Sequence, residues 1–478
     1  MPGFNSIAFV YPDDGRGARF DRMFPPLGLE YVAAGVRDCF EHRSLIDFRF
    51  DENWEEQIPE NCDIAALSLL WDAPIHRMLN VSRRLKEMRP GIRIVAGGRV
   101  AEVNKKALVT ATPEERVDVV FSGPDDGRFR IYVESGQAIK VPGVSYLDDG
   151  EYRETAAVFQ GPIPDRPLPD RTMRKHTYGM IRRDGFDAGV ASDAIQSSRG
   201  CPYHCSFCTF NRDSEGRHLA FTGRSAESVA DELEQIEAPY VMFTDDNVCH
   251  DIKRMERLCD LLIERKIDKV YGLETRVNIG LRPTLVEKMA RAGFRHITFG
   301  LESMHDHVLK FLNKDLKRRT IERAFSRIHH MDMLFIGNFI IGNVGETREQ
   351  MLQIPKFAHA IGLDSVQINH LRCRGPEPLT ETVKATPGYY IDPKTRKVYS
   401  DENSLDDMAD ISRQIKREFW TKKQILRSAW KTKKLMTPIS FSSVAWHWLL
   451  WEVMGRPDPW GNRKNRQTRG NSRLLPSY

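Results

Sequence analysis

The stretch "VMFTDDNVCHDIKRMERLCDLLIERKIDKVYGLETRVN" (241–278) has the pattern of a strand, an amphipathic helix and a second strand. Strands of the same kind are expected at 296–303, 334–343 and 365–372, and a further strand before Cys201, with helical sequence between them. Strands that alternate with helices predict parallel βαβ units. We therefore expect about six repeats, a partial (β/α)6 TIM-type barrel whose chemistry lies at the carboxyl ends of its strands.

The first 130 residues alternate in the same way. Strands are expected at 6–12, 43–50, 63–70, 92–98 and 117–123, with helices at 25–40 and 73–88. This order predicts an α/β fold with a doubly wound, Rossmann-like parallel sheet, whose ligand crevice lies outside the carboxyl ends of the strands.

The chain divides into four expected segments. A Rossmann-like domain (1–135) is followed by a proline-rich linker (136–190), the barrel (191–375) and a helical C-terminal region (376–478). The linker contains "QGPIPDRPLPDR" (160–171), and prolines at that density do not fit inside a helix or a central strand. The C-terminal region holds six of the eight tryptophans and a basic tail. We expect these aromatics to pack on the barrel, with a wall for substrate stacking as the alternative.

Composition narrows the class of protein. The chain has 478 residues, 41% of them hydrophobic and 29% charged, with a mild net charge of +5, which is ordinary for a soluble globular protein. The N-terminus lacks a signal peptide pattern, and the apolar stretch at 444–455 is shorter than the roughly 20 residues of a membrane span. We expect a cytoplasmic monomer with no membrane or nucleic-acid partner, in which cysteines stay reduced.

Three of the eight cysteines lie together in "SSRGCPYHCSFCTF" (197–210). Cys201, Cys205 and Cys208 have the spacing CxxxCxxC. A structural zinc site needs four protein ligands, and Cys249 with His250 could complete one. Alternatively, three thiolates on a four-iron cluster would leave one iron open to a ligand that accepts an electron.

The CxxxCxxC motif, with an aromatic residue before its last cysteine, resembles the signature of the radical S-adenosylmethionine (SAM) enzymes. This resemblance implies that Cys201, Cys205 and Cys208 hold a [4Fe–4S] cluster. SAM would bind the open iron and yield a 5′-deoxyadenosyl radical after one electron arrives from a donor such as flavodoxin or ferredoxin. A non-enzymatic iron–sulfur or zinc binding module is the alternative; it predicts no SAM turnover and would leave the later strand-end motifs unexplained.

The same resemblance implies SAM contacts at later strand ends, with solvated residues or ion pairs as the alternative at each position. Phe207 would lie near the adenine, and "FIIGNVGET" (339–347) would pass it. Asp245 and Asp246 in "FTDDN" would meet the methionine amino group, although the family usually has two glycines and a glutamate there. The candidates for contacts to the ribose and carboxylate are Glu274, Arg276 and Glu302.

Cys373 is the candidate catalytic residue. It follows the sixth expected barrel strand in "LRCRGPEPL" and should point toward the barrel mouth. It would be a partner or hydrogen donor for a substrate radical, or else a buried thiol, because free cysteine commonly packs in cores.

Residues 5–375 resemble the branch of this family that binds cobalamin, which includes methyltransferases and the anaerobic magnesium-protoporphyrin cyclase. The matching segments include "FPPLGLEYVAAGV", "DIAALSLLWD", "IVAGGRV" and "VVFSGPDDG". The DxHxxG segment that supplies a histidine to cobalt is absent, so cobalamin would bind without a protein nitrogen, or the domain would be a cobalamin-free scaffold. The candidate cobalamin contacts are Ser68, Trp71, Gly97, Gly98 and Gly123.

The resemblance implies a methyltransferase that passes a methyl group from SAM, through cobalamin, to a carbon of a small-molecule or peptide substrate. The alternative is a cyclisation, rearrangement or oxidation without methyl transfer. The tRNA methylthiotransferase branch fits less well, because it carries three further cysteines in its first domain, where this chain has only Cys39 and Cys62.

Overall fold

The computed structural model describes residues 4–12, 24–69, 75–124, 127–156, 167–183, 186–210, 212–213, 215–375 and 377–435. Within these residues the chain forms two large α/β units joined by a short segment, followed by helices and a hairpin. Trp71 and the tryptophans after residue 435 lie outside the described residues.

The first unit is built on a sheet that, in the described part of the chain, has seven strands in the order β2-β1-β3-β4-β5-β6-β7. The strands are β1 (Ser6–Tyr11), β2 (His42–Asp47), β3 (Ile64–Ser68), β4 (Arg93–Gly97), β5 (Val119–Phe121), β6 (Val144–Asp148) and β7 (Glu151–Glu154). The first five are parallel, whereas β6 and β7 pair antiparallel. The order 2-1-3-4-5 places a switch point between β1 and β3, where doubly wound sheets bind ligands.

Helices cover both faces of this sheet. They are α1 (Leu27–Gly35), α2 (His76–Met88), α3 (Arg99–Val103), α4 (Lys105–Val109) and α5 (Arg128–Ser135). Alternate side chains of one strand enter two different cores: Ala8 and Val10 of β1 join one, Ile7 and Phe9 the other. This two-sided burial explains why the strands read as continuous apolar runs.

The second unit is an open half-barrel. Its sheet, among the described residues, has the order β16-β15-β14-β13-β12-β9-β8. The strands are β8 (Gly179–Arg183), β9 (Phe186–Ile195), β12 (Tyr240–Phe243), β13 (Val270–Thr275), β14 (Phe294–Glu302), β15 (Leu334–Ile341) and β16 (Ser365–His370), and a separate short pair is formed by β10 (Ser198–Arg199) and β11 (Thr222–Gly223). Strands β9 and β12 to β16 are parallel, which confirms the six expected βα repeats, and β8 adds an antiparallel edge.

The outer helices of the half-barrel bury the largest core of the protein against one face of its sheet. They are α6 (Ala226–Gln235), α7 (Ile252–Glu264), α8 (Pro283–Arg291), α10 (Arg318–Ile328), α11 (Arg348–Met351) and α12 (Ile354–Ile361). A further short helix, α9 (Asp306–Phe311), packs in a smaller apolar cluster. The other face of the sheet is concave and is left for the site.

The C-terminal region is helical, as predicted, but it also contains a hairpin. Its helices are α13 (Leu379–Lys384), α14 (Leu405–Phe419) and α15 (Lys422–Leu435), and the strands β17 (Tyr389–Ile391) and β18 (Val398–Ser400) pair antiparallel. In the turn between these strands Arg396 has a φ of +61° and the Asp392 carboxylate accepts hydrogen bonds from Thr395. Such local polar contacts favour a turn over a helix.

A buried charge network joins the two units. The Arg174 guanidinium donates to both oxygens of Glu30, on α1, at 2.6 Å and to Asp193, on β9, at 2.8 and 3.0 Å. Arg171 donates to Asp193 at 3.0 Å and to Glu232, on α6, at 2.7 Å. Arg171 ends the proline-rich stretch and Arg174 lies just beyond it, so the last part of the segment predicted as a linker fixes the two units against each other. The first part of that segment holds strands at 144–154.

Within the described residues, no helix is long and apolar enough to cross a lipid bilayer.

Candidate active site

The three clustered cysteines lie on one loop at the carboxyl end of β9. Gly200, with a φ of +72°, lets the chain turn into this loop, because a Cβ there would collide with the Ala220 carbonyl oxygen. Cys205 is buried, and Cys201 and Cys208 are half-buried. The Cys208 N–H donates to the Cys205 carbonyl at 3.2 Å, which keeps the loop tightly wound.

Polar donors from the neighbouring strand ends reach two of the thiols. Asn247 Nδ2 donates to Cys201 Sγ at 3.8 Å, and Arg276 Nη1 donates to Cys205 Sγ at 3.7 Å. Thr275 donates to the Asn247 side chain at 3.0 Å and so fixes its orientation. Burial raises the pKa of the Cys201 thiol, so the thiolate form needs such donors and a metal to stabilise it. Three thiols with aimed N–H groups fit a cluster held at three corners.

The alternative zinc site does not assemble. Cys249 is buried in the core of the half-barrel, and burial raises the pKa of its thiol to about 12. In the part of the chain that the structure describes, no three His, Cys, Asp or Glu side chains converge as ligands of a single metal ion.

Arg276 is part of the cluster loop's support. Its guanidinium lies 3.6 Å from the centre of the Tyr203 ring and donates to the carbonyls of Lys314 and Asp315, the latter at 2.9 Å. The sequence predicts a contact with SAM here, but these contacts and the one to Cys205 occupy both terminal nitrogens. The geometry favours a role beside the cluster instead.

We expect Arg276→Gln to make the cluster harder to reduce. The guanidinium places a positive charge beside a cluster thiolate, and at an effective dielectric constant of 20 such a charge is worth roughly 3 kcal/mol, on the order of 100 mV for one electron. A redox titration followed by electron paramagnetic resonance measures the shift. Arg291→Gln, at an exposed site on α8, should leave the potential unchanged, and equal potentials in both variants would contradict the assigned contact.

The two aspartates of "FTDDN" have different environments. Asp245 is buried and its carboxylate accepts from the Ser197 N–H at 3.2 Å, from the Ser197 hydroxyl at 2.7 Å and from the Ser198 hydroxyl. These bonds pin the start of the cluster loop and leave Asp245 little capacity for SAM. Asp246 is open to solvent and accepts one bond, from the Gly200 N–H at 2.7 Å. Crowding by surrounding protein raises its pKa to about 6. A cation beside it would favour its ionised form.

Phe207, Glu302 and Lys314 meet on another side of the cluster loop. The Lys314 ammonium lies 2.6 Å from Glu302 and 5.7 Å from the centre of the Phe207 ring. Glu302 has a φ of +64°, a strained conformation for a residue with a side chain. The sequence analysis named Phe207 and Glu302 as SAM contacts, which stay predictions, and did not name Lys314, which lies in a basic stretch between Lys310 and Lys317. Glu274, the remaining predicted residue, lies on the concave face and is open to solvent.

The predicted cobalamin residues that the structure describes lie at the carboxyl edge of the first sheet. Ser68 ends β3, Gly97 ends β4, and the two are paired in register. Gly98 has a φ of +82°, and a Cβ there would lie 2.9 Å from the Ser68 hydroxyl. Gly123 has a φ of +74° in the loop after β5, which Arg128 fixes by donating to the Ser122 carbonyl at 2.9 Å. This edge is a cradle that a side chain at position 98 would fill, and it fits a large ring that approaches backbone.

Arg99 connects that edge to the cluster loop. Its Nη2 donates to the carbonyl oxygens of Thr209 and Asp213, each at 3.3 Å. The carboxyl edges of the two sheets therefore face one another across the site. This contact was not predictable from the sequence, because its partners are more than 100 residues apart.

Cys373 does not lie at the barrel mouth. It is fully buried in a small apolar cluster with Leu312, Ile340, Leu371 and Leu379, and burial raises the pKa of its thiol to about 11. Its N–H donates to the Arg396 carbonyl of the turn before β18 at 2.9 Å. The expected orientation toward substrate is therefore corrected to that of a core thiol.

Two family models match the chain. The radical SAM superfamily model matches residues 195–358, and the B12 binding domain model matches residues 15–132. The chain therefore contains a radical SAM domain and a B12-binding domain. The first implies a [4Fe–4S] cluster and SAM as cofactors of a radical SAM enzyme, and the second supports cobalamin.

Relatives of this radical SAM enzyme include methyltransferases and a cyclase. An uncharacterised methyltransferase of Pyrococcus horikoshii is 27% identical over 72% of this chain and 75% of its own length. The anaerobic magnesium-protoporphyrin IX monomethyl ester cyclase of Rubrivivax gelatinosus is 24% identical over 74% of the chain and 65% of its own length. The match to the hopanoid C-3 methylase of Methylococcus capsulatus, at 26% identity, covers 63% of the chain and 58% of that protein. The chain thus spans less than two thirds of the latter two.

Solved structures share the fold. The radical SAM methyltransferase TsrM of Kitasatospora setae superimposes with a TM-score of 0.64 at 15% identity, over 81% of this enzyme and 79% of TsrM. The cobalamin-dependent radical enzyme OxsB gives a TM-score of 0.63 at 15% identity, over 91% of this enzyme and 70% of OxsB. The likeness confirms the predicted arrangement of a Rossmann-like sheet, a half-barrel and a helical C-terminal region.

Proposed function

We propose that this radical SAM enzyme is a cobalamin-dependent methyltransferase that moves a methyl group from SAM, through cobalamin, to a carbon of a small-molecule or peptide substrate. The observation that carries the proposal is the Arg99 contact, which turns the carboxyl edge of the first sheet toward the cluster loop. When bound, cobalamin supplies a methyl carrier, and the cluster with SAM supplies one-electron chemistry at the substrate carbon. The two sheets hold these groups on opposite sides of one crevice.

The chain's own residues have distinct parts in this proposal. Cys201, Cys205 and Cys208 hold the cluster, and Asp246, as an open carboxylate, receives the methionine ammonium. Phe207 provides an apolar surface for the adenine. The Glu302 carboxylate, held by Lys314, faces the ribose hydroxyls. Asp245 keeps the start of the cluster loop in place.

The cobalamin side of the crevice relies on backbone more than on side chains. Gly97, Gly98 and Gly123 leave room for the ring, and the Ser68 hydroxyl, which lies against Gly98, offers a hydrogen bond. Trp71 remains a proposed neighbour of cobalt that falls outside the described residues.

Anaerobic reconstitution with hydroxocobalamin and SAM labelled in its methyl group tests the proposal. We expect the wild-type protein to retain about one cobalamin and four irons per chain and to label the cobalamin. Gly98→Val should abolish cobalamin retention while keeping the iron, because its side chain would enter the cradle in a strained conformation. Gly91→Val, at the opposite edge of the same sheet with no atom within 4 Å of its Cβ position, is the matched control.

A second candidate is a radical reaction without methyl transfer, and the similarity to the cyclase favours it. The same experiment separates the two. A wild-type protein that cleaves SAM and holds its iron but retains no cobalamin would overturn the methyltransferase proposal in favour of this one.

A further inference from the structure

The concave face of the half-barrel contains a carboxylate, Glu274, that has no counter-ion among the described residues. Along β13, Tyr271 and Leu273 pack into the core behind the sheet. Because side chains alternate along a strand, Gly272 and Glu274 face the concave side. Arg276, in extended backbone just after the strand, continues this alternation and reaches Cys205.

The floor of this face, formed around Gly272 by Tyr240 and His296, is filled by side chains that carry no charge. Any side chain at position 272 would collide with the Tyr240 hydroxyl. That hydroxyl lies 3.2 Å from His296 Nδ1. His296 Nε2 in turn lies 3.1 Å from the Thr298 hydroxyl. Burial lowers the pKa of His296 to about 4, so the ring is neutral at physiological pH. The floor therefore offers no cation to Glu274.

Glu274 lies midway between this floor and the cluster loop. Two residues of a strand advance about 7 Å, so Glu274 is one such step above Gly272 and one below Arg276. Its side chain is solvent-exposed and, among the residues that the structure describes, has no hydrogen-bond or ion-pair partner. The other carboxylate on this face, Glu302, is already neutralised by Lys314. Crowding by the surrounding protein and the nearby Glu302 raise the pKa of Glu274, and a cation beside the carboxylate would favour its ionised form.

Polar amides line the neighbouring strands at the same face. Phe335, Phe339 and Val366 point into the core, so Asn338 and Gln367, which pair in register, point the other way. The Asn338 side-chain oxygen is buried and, in the described structure, accepts no hydrogen bond. An unpaired buried acceptor costs free energy, and a ligand with N–H donors would satisfy it.

We infer that this concave site binds the substrate through a protonated nitrogen, an amine or a guanidinium, with Glu274 as its counter-carboxylate and Asn338 as an acceptor beside it. The inference rests on the proposed function only in taking the half-barrel as the place where substrate binds. An anionic group at this depth is excluded by repulsion from Glu274. The ammonium of SAM is served separately by Asp246, at the level of the cluster loop.

Binding of two matched sets of small probes to the reconstituted, SAM-loaded protein tests this inference. The sets are benzylamine, benzyl alcohol and benzoate, and 1,4-diaminobutane, 1,4-butanediol and succinate. We expect at least one amine to bind more tightly than its neutral and anionic analogues in ligand-observed NMR titrations. Glu274→Gln should weaken that binding about tenfold or more, because a charge-assisted hydrogen bond is lost. Glu287→Gln, at an exposed site on the outer helix α8, should have no effect.

The outcomes distinguish this inference from the proposed function. Equal binding of amines and their analogues, or unchanged amine binding in Glu274→Gln, would overturn the inference. A loss of SAM affinity in Glu274→Gln, with amine binding intact, would instead return Glu274 to the SAM contact expected from the sequence. Cobalamin retention, measured on the same preparation, tests only the proposed methyl transfer. If amines bind at Glu274 in a protein that retains no cobalamin, the inference stands and the methyltransferase proposal is overturned.

Discussion

Replacing Cys205 by alanine should abolish both the cluster and the formation of 5′-deoxyadenosine. Cys205 is the buried member of the three thiols and the one that receives the Arg276 N–H. Without it, two thiolates remain, which are too few to hold a cluster at three corners. Iron and sulfide content, the absorbance spectrum and deoxyadenosine release after anaerobic reconstitution measure the loss.

Cys39→Ala is the matched control for this experiment. Cys39 is a half-buried thiol of the first unit, remote in sequence from the cluster loop, and its removal should leave iron content and deoxyadenosine release at the wild-type level. Thermal unfolding of both variants shows whether the fold is kept. If the Cys205→Ala protein retained four irons per chain and cleaved SAM, the assignment of the cluster ligands would be refuted.

The sequence predicted those parts of the fold and site that depend on local pattern. The strands alternate with helices at the spacing of βαβ units, and the cysteine spacing confines three thiols to one short loop. The positions of Gly97, Gly98 and Gly123 at strand ends were predicted for the same reason, because a strand end can be located from its apolar run, while their contacts to cobalamin stay a prediction. Local pattern also identified the six parallel strands of the half-barrel.

Features that depend on long-range contacts were not predictable from one sequence. Asp245 and Asp246 are neighbours with the same chemistry, yet Asp245 accepts hydrogen bonds from serine hydroxyls whereas Asp246 is open to solvent. Lys314 neutralises Glu302 from a different loop, and Arg99 reaches the cluster loop from the other sheet. Such pairings form only in the folded protein, where segments that are distant in the sequence pack together.

The segment predicted as a proline-rich linker shows the same limit. Proline density predicted a boundary at the "QGPIPDRPLPDR" stretch, of which the structure describes residues 167–171. It did not reveal that Arg171, at the end of the stretch, and Arg174, just beyond it, enter a buried network. Because arginine is usually exposed, nothing in the sequence alone distinguishes Arg171 and Arg174 from surface arginines. In the fold both are paired with carboxylates of α1, β9 and α6.

Arg174→Leu should destabilise the protein by about 3–5 kcal/mol, because it leaves the buried Glu30 carboxylate without its partner and Asp193 with Arg171 as its remaining arginine. Arg174 is 14% exposed, and its partners Glu30 and Asp193 are 0% and 3% exposed. Burial opposes the ionisation of Asp193, but hydrogen bonds from Arg174 outweigh it and hold the pKa of that carboxyl below its usual range. Urea unfolding at neutral pH, where Asp193 is ionised, measures the loss. Arg130→Leu breaks a surface pair with Asp38, 40% and 68% exposed, and should cost less than about 1 kcal/mol.

The same substitution should separate the two halves of the reaction. Glu30 belongs to the B12-binding unit and Asp193 to β9, which leads into the cluster loop, so Arg174 sets the distance between the two sheets. The cysteines and Asp246 are untouched, and we expect Arg174→Leu to keep SAM cleavage at temperatures where it stays folded while label transfer from SAM to cobalamin falls. If both activities fell in the same proportion, the network would act on the stability of the half-barrel and not on the alignment of the units. If Arg174→Leu unfolded at the same urea concentration as the wild type, the network would have no role in joining the two units.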